Sequence, residues 1–457
     1  MTKERKDINE LNPDELADYI HALNILRARS SDDETGYAFQ AGLHNGIRVN
    51  GASVSCEHGS DLFFPWHRAH LYYFEQLLQE ADPPRTANVT IPYWDWLHPE
   101  VNGRFPKAFA KPALQGERPR NENPPPGSWG SELPADTLEI VTEEPDWNAF
   151  GGYPKGRPPP GSQMGSYGLL EWHPHNYMHE YFISGEMEDP RRAARDPIYF
   201  SFHAFIDLLW AEWQRRNNSP PPTSPGADLR GFLDKPRHKV QDFQSTTDLG
   251  YEYKYTEKLK KAFDITLVLR TLRRPPVRER RELIAAREPL QPQPLEPLFA
   301  DSMESELRKT SRVQYAFPAP PAPTAAAEVR LQDLKVTLRW SYTLRAYVHP
   351  KDVPFDKDDA DFERRYFVDY GVLWVAHDEE HSVHHPPEDQ DHHPPFCTVR
   401  FDVSDSLTGL TPEAVSNLVL TLHYIPGLVP AGEPAPVLDL LEGMEVDDVL
   451  LEVYTRP

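Results

Sequence analysis

The chain reads as a mainly helical first domain followed by an antiparallel β-sandwich, and three observations predict this. Apolar residues recur at helical spacing through residues 11–30, from Pro65 onward and across residues 196–210. Alternation of period two takes over after Glu328. Between these parts, residues 256–328 are rich in Arg and Pro and read as a linker. The boundaries are therefore residues 1–255, 256–328 and 329–457.

The first helix is announced by Asn12-Pro13-Asp14-Glu15, a cap residue, a proline at N1 and first-turn acids. Leu16, Tyr19, Ile20, Leu23 and Leu26 then form its apolar stripe. A short element over residues 36–46 ends near His44. From Pro65 a second helix carries His67 on the same stripe as Leu71, Phe74 and Leu78. An imidazole on a buried face needs partners for its ring nitrogens, or it costs free energy. Residues 97–165 are rich in Pro and Gly and read as mostly irregular, with a turn anchored at Trp147-Asn148-Ala149-Phe150.

The densest chemistry lies in residues 171–210. His175 and His179 stand four apart after Pro174, which is expected to open a helix, so both imidazoles share one face. His203 and Asp207 repeat that spacing, and a carboxylate so placed can hold the outer nitrogen of a ligand histidine. A zinc protease would carry Glu directly after the first histidine of such a pair, whereas Asn176 stands here. An earlier cluster, CEHGSDLFFPWHRAHLYYFE from Cys56 to Glu75, matches the later one in size.

Together these motifs resemble the type-3 copper proteins: tyrosinases, catechol or polyphenol oxidases and haemocyanins. The resemblance covers residues 36–255 and implies a four-helix bundle around a dicopper centre. It implies His44, His58 and His67 as ligands of one copper ion, and His175, His179 and His203 as ligands of the other, with dioxygen as co-substrate. Where relatives often carry a His-His pair, this chain has Phe202-His203. Residues 251–253 resemble the tyrosine-x-tyrosine signature that closes the domain. Cys56, two before His58, matches a position that forms a Cys–His thioether in some members; the alternative is a buried thiol. Glu171 and Asn176 match residues that hold a water near the copper pair, and through it accept a phenol's proton; alternatively Glu171 only caps the helix. Glu180 sits where members vary in substrate preference. His70 is expected to stand behind the ligands or on the surface, and His173 in a loop.

The implied activity is ortho-hydroxylation of monophenols and oxidation of o-diphenols to o-quinones. It would be latent wherever the C-terminal domain covers the site with a plug side chain. An oxygen carrier like haemocyanin, or a catechol or o-aminophenol oxidase lacking monophenolase activity, are the alternatives. A dizinc hydrolase ranks below them, since it would normally include carboxylate ligands.

The resemblance implies small phenols as partners, and composition argues against nucleic acid and membrane. A net charge of -23 repels phosphate backbones and disfavours nucleic acid. No apolar run reaches the length of a membrane span. No secretory signal is visible behind Met1, so a cytoplasmic location is the expectation. Cys56 and Cys397 are too few for a disulfide framework. The arginines from Arg270 to Arg287 read as a solvated or ion-pairing linker. His377, His381, His384, His385, His392 and His393, near Cys397, read as an exposed hairpin, with copper loading as the other option. Oligomeric state is open.

Overall fold

The structure, a computed structural model, describes residues 2–49, 52–98, 105–116, 137–138, 140–142, 144–154, 167–217, 225–270, 284–293, 312–318, 326–336, 342–356, 359–373, 396–407, 409–426, 444–445 and 448–454. The chain divides into two compact units, the bulk of one being Met1–Pro154 with Gly168–Leu272 and of the other Arg273–Glu379 with Pro394–Pro457.

In the first unit, the helix Pro13–Arg27 starts as its sequence requires. Asn12 Oδ1 accepts from the backbone N–H groups of Asp14 and Glu15, and Glu15 Oε2 accepts from Asn12 N–H at 2.9 Å. That reciprocal arrangement satisfies donors the helix itself leaves unpaired. Two longer helices, Phe63–Glu80 and Ile198–Arg216, carry His67 and His203. Both are buried over most of their length, the first burying Trp66, Leu71, Phe74 and Leu78. Phe74 and Phe200 stack between them with centroids 3.7 Å apart.

The third ligand-bearing segment departs from expectation. The backbone is already helical at Leu169, so Pro174 lies inside the helix rather than opening it. Glu171–His175 and Met178–Ile183 are π-helical, with Asn176 N–H bonding the Glu171 carbonyl and Ser184 N–H the His179 carbonyl. A proline lacks the N–H that an α-helix would use at this point. Widened π turns are a known feature of functional sites.

Strand Lys3–Arg5 pairs in parallel with Tyr251–Tyr253, and Asp7 bridges Tyr93. The segment expected as a turn at Trp147 is a short helix, Trp147–Gly151, capped by Asp146 and ended by Gly152 at φ 93°.

The second unit contains two five-stranded antiparallel sheets. One runs Phe367–Leu373, Tyr342–Pro350, Leu418–Pro426, Arg312–Ala316, Gln291–Gln293; the other runs Phe396–Asp402, Ala326–Val336, Asp448–Tyr454, Ile284–Pro289. Met444–Glu445 pairs with Ala326–Val336 as the fifth strand of the second sheet. The stretch expected as a linker therefore contains the helix Glu257–Arg270 and three of these strands. Ile284–Pro289 and Gln291–Gln293 sit at sheet edges, where Pro289 and Pro292 cost little because an edge residue need not donate to a neighbour. The histidines from His377 to His393 and residues 319–323 lie outside the described residues.

Candidate metal centre

The six histidines are all buried, none more than 3% exposed. His44 follows the helix Tyr37–Gly42, His58 lies in the loop before Phe63–Glu80, and His67 is one turn into that helix. Across the centre stand His175 and His179 on the π-helical segment and His203 on Ile198–Arg216. The rings of His67 and His203 stack 4.4 Å apart, His175 and His179 lie 4.5 Å apart, and His58 and His175 lie 5.5 Å apart.

What aims these rings is the partner on the other side of each. Nδ1 of His44 donates to the Pro190 carbonyl at 2.6 Å, of His67 to Phe63 at 2.7 Å, and of His179 to Met187 at 2.9 Å. His58 Nδ1 donates to Glu171 Oε1 at 2.8 Å, and His175 Nδ1 to Asn176 Oδ1 at 2.9 Å. An acceptor on Nδ1 puts the proton there and leaves the Nε2 lone pair for a metal. Nε2 of His67 accordingly lies 3.4 Å from Nε2 of His44, and Nε2 of His179 lies 3.2 Å from Nε2 of His203.

The donor set fits a metal pair. His175, His179 and His203 bring ligand atoms within 4.8 Å of one another, as do His44, His67 and His203, and His44, Cys56 and His58. His58 and His67 are thus joined through His44. Burial pushes His44, His67, His175, His179 and His203 well below the usual imidazole range, and neighbouring imidazoles push in the same direction. Neutral imidazole nitrogens suit copper, and among the described residues no carboxylate joins these groups.

Several expected roles change. Asp207 does not hold His203, whose Nδ1 has no hydrogen-bond partner among the described residues. Its carboxylate accepts instead from Arg68 Nε at 2.5 Å, from the Tyr251 and Tyr253 hydroxyls at 2.6 Å each, and from Arg5 at 3.4 Å. The i,i+4 spacing was satisfied, but two buried guanidinium groups outcompete an imidazole for a carboxylate. Burial alone would raise the Asp207 pKa; Arg68, Arg5 and the two tyrosines bring it below the usual range. Glu171 accepts from the Gly59 N–H at 3.0 Å as well as from His58. Asn176 orients His175 directly. Glu180 is fully buried, as is the thiol of Cys56. His70 is neither on the surface nor bonded to a ligand ring: its nitrogens meet Tyr199 and Gln40.

Sequence reasoning missed Phe63, whose ring lies 4.6 Å from His67, 4.8 Å from His175 and 5.4 Å from His58. Its place four before His67 was the available signal. The carbonyls of Pro190 and Met187 carried none, since any residue offers a carbonyl. Phe202, standing in place of a histidine, stacks on His175 at 5.6 Å and meets His179 edge-on at 5.2 Å.

A helical domain enclosing six convergent imidazoles defines a dinuclear, all-histidine metal protein. The family model for the common central domain of tyrosinase matches residues 34–131 and 111–216, so over this part the chain is similar to the type-3 copper proteins. It is 29% identical over 305 residues to tyrosinase HcTyr1 of Hahella sp. (strain CCB-MM4), covering 55% of this chain and 63% of that protein. It is 30% identical over 283 residues to the chloroplastic catechol oxidase B of Solanum tuberosum, covering 52% and 46%. The chain thus spans less than two thirds of the length of these curated relatives. In fold it matches a latent aurone synthase (polyphenol oxidase) at TM-score 0.63 and 17% identity, covering all of this chain and 90% of that one. It matches a functional unit of octopus haemocyanin at TM-score 0.58 and 16% identity, covering 99% and 100%. Members of the family hold two copper ions and use dioxygen, and the histidine groups here fit that cofactor.

Proposed function

We propose that the chain oxidises phenols with dioxygen, hydroxylating monophenols at the ortho position and converting o-diphenols to o-quinones. The observation that carries this reading is that five of the six rings are tied back through Nδ1, which presents Nε2 to a common centre. When bound, the copper pair supplies dioxygen binding and electron transfer.

The chain's own residues supply the rest. Phe63 and Phe202 line the histidines with apolar rings, which suits a flat aromatic substrate and excludes water. A phenol has a pKa near 10, so only about 0.1% is ionised at neutral pH. Glu171, buried beside His58, is the residue we assign as acceptor of that proton. Asn176 holds His175 so that this side of the site keeps its shape. Glu180, next to His179, bears on which phenols are accepted. Cys56 Sγ lies within 4.8 Å of a nitrogen of His58, so we also expect a thioether once copper and air are supplied, each partner giving up one hydrogen to dioxygen. A chain lighter by two hydrogens would report it.

A reversible oxygen carrier is the second reading, because the haemocyanin unit shares the fold. Glu171 favours the oxidase, since a carrier needs no proton acceptor. The test is an assay of the copper-loaded chain with a monophenol and with a catechol, before and after limited proteolysis within residues 256–328. Oxidation of both substrates, rising after cleavage, is expected; reversible oxygenation without turnover of catechol in either state would overturn the oxidase reading.

A further inference from the structure

His70 is buried three residues beyond His67 and is absent from the metal-holding groups among the described residues. Its Nε2 lies 2.9 Å from the Gln40 carbonyl oxygen, which can only accept, so the ring proton belongs on Nε2. The lone pair is then on Nδ1, and the Tyr199 hydroxyl, 3.1 Å away, donates to it. Tyr199 is thus a fully buried phenol facing a built-in base.

The same tyrosine packs on the metal ligands. Its ring centroid lies 4.3 Å from that of His203 and 4.8 Å from that of His44, one ring from each side of the centre. A second oxidisable ring, Trp66, lies 5.0 Å from His67 and 5.2 Å from His70. Beyond it, Phe232 at 5.6 Å, Tyr73 at 5.5 Å from Phe232, and the partly buried Tyr72 at 5.1 Å from Tyr73 continue the aromatic contacts outward. Tyr37, another buried tyrosine, donates instead to the carbonyls of Ala194 and Arg195.

We propose that Tyr199 and His70 form a redox-active pair that drains oxidising equivalents from the metal centre when no phenol is bound. The proposal rests on the copper-oxidase reading above. Dioxygen needs four electrons to reach two waters; the reduced metal pair supplies two, and a phenol normally supplies the others. Without phenol, Tyr199 gives one electron to the centre and its hydroxyl proton to His70 Nδ1, leaving a neutral tyrosyl radical beside an imidazolium. A thiol or ascorbate in solution returns one electron through Tyr72, Tyr73 and Trp66, and His70 returns the proton. A second passage supplies the remaining electron, and the reductant and solvent supply the protons that complete the two waters. The centre is thereby discharged without attack on its own ligands.

The test adds hydrogen peroxide to the copper-loaded full chain without phenol, freezes it rapidly and records electron paramagnetic resonance. An organic radical is expected, with couplings that change when ring-deuterated tyrosine is incorporated into the unsubstituted chain and that show a proton shared with labelled histidine. Tyr199→Phe should abolish the signal while retaining the copper content of the unsubstituted chain, and Tyr37→Phe should leave the signal in place. An undiminished radical in copper-replete Tyr199→Phe, or no radical in an unsubstituted chain that holds its copper pair, overturns the relay alone. A chain that binds no copper pair overturns the oxidase reading, and the relay with it.

Discussion

Arg68 Nε lies 2.5 Å from Asp207 Oδ1, so the residue after His67 is tied to the residue one turn beyond His203. Neither side chain faces the metal centre's nitrogens, yet the contact fixes the two ligand helices against each other from behind. Arg68 also stacks on Trp210, with its guanidinium carbon 3.6 Å from the ring centroid. Arg5, lying 3.7 Å over the Tyr251 ring and bonded to Glu75 at 2.8 Å, brings the strand Lys3–Arg5 into the same cluster.

Removal of the Asp207 charge should therefore cost far more than an average substitution. Asp207→Ala leaves the fully buried Arg68 guanidinium without its anion and Arg5 with Glu75 alone, a loss of about 3–5 kcal/mol. Tyr253→Phe removes one hydrogen bond to the charged group, at about 1.5–3 kcal/mol. Chemical denaturation of the metal-free chain measures both, and an Asp207→Ala loss below that of Tyr253→Phe would contradict this assignment.

Metal analysis should separate the ligands from the bystander. His58→Gln and His179→Gln are each expected to lower bound copper from two ions per chain toward one. His70→Gln should keep both ions, because its nitrogens are engaged by Tyr199 and Gln40. Loss of copper in His70→Gln equal to that in His179→Gln would place His70 among the ligands.

The metal-free chain should weaken on acidification. Burial holds five of the six centre histidines well below the usual imidazole range and takes His70 down to about 4. In the unfolded chain these groups titrate near ~6.5. Between the two values the unfolded state binds more protons than the native one, so stability falls as pH falls. Asp207, held below its usual range, acts in the same direction: its contribution is present above the unfolded carboxylate pKa and fades as pH drops through the folded one. Asp7, pushed up to about 6 chiefly by burial, acts oppositely, its contribution fading as pH rises through that value. The imidazoles outnumber it. Denaturation midpoints should drop from about pH 6.5 toward pH 4; a flat profile there would show that the rings are not buried neutral.

Glu171→Gln should split the two phenol reactions. The amide can still accept from His58 Nδ1, but it cannot take a proton from a monophenol. The monophenol rate is expected to fall about 10²–10⁴-fold, the usual contribution of a positioned base, and the catechol rate much less. Equal losses would confine Glu171 to positioning His58.

Much of this was legible in the chain itself. The Asn12 cap, the helical stripes and the period-two strands follow from local rules of hydrogen bonding and alternation, which act over a few residues. The six histidines stood out by their spacing and by resemblance. The short strands at 284–289, 291–293 and 312–316 did not stand out, because they are brief and two of them carry prolines tolerated only at an edge. Pro174 inside a helix was equally invisible, since local rules place a proline at a helix start and here it lies within a π-helical turn.

By itself, then, the sequence determined which imidazoles are available and roughly which elements carry them. Tertiary structure decided which nitrogen of His44 and His58 faces the metal, because their acceptors lie far away along the chain. Glu171 is 113 residues from His58, and Pro190 is 146 from His44. It also gave Asp207 to two arginines rather than to His203: inside the fold a carboxylate goes to the strongest buried donors within reach, and sequence spacing does not rank them.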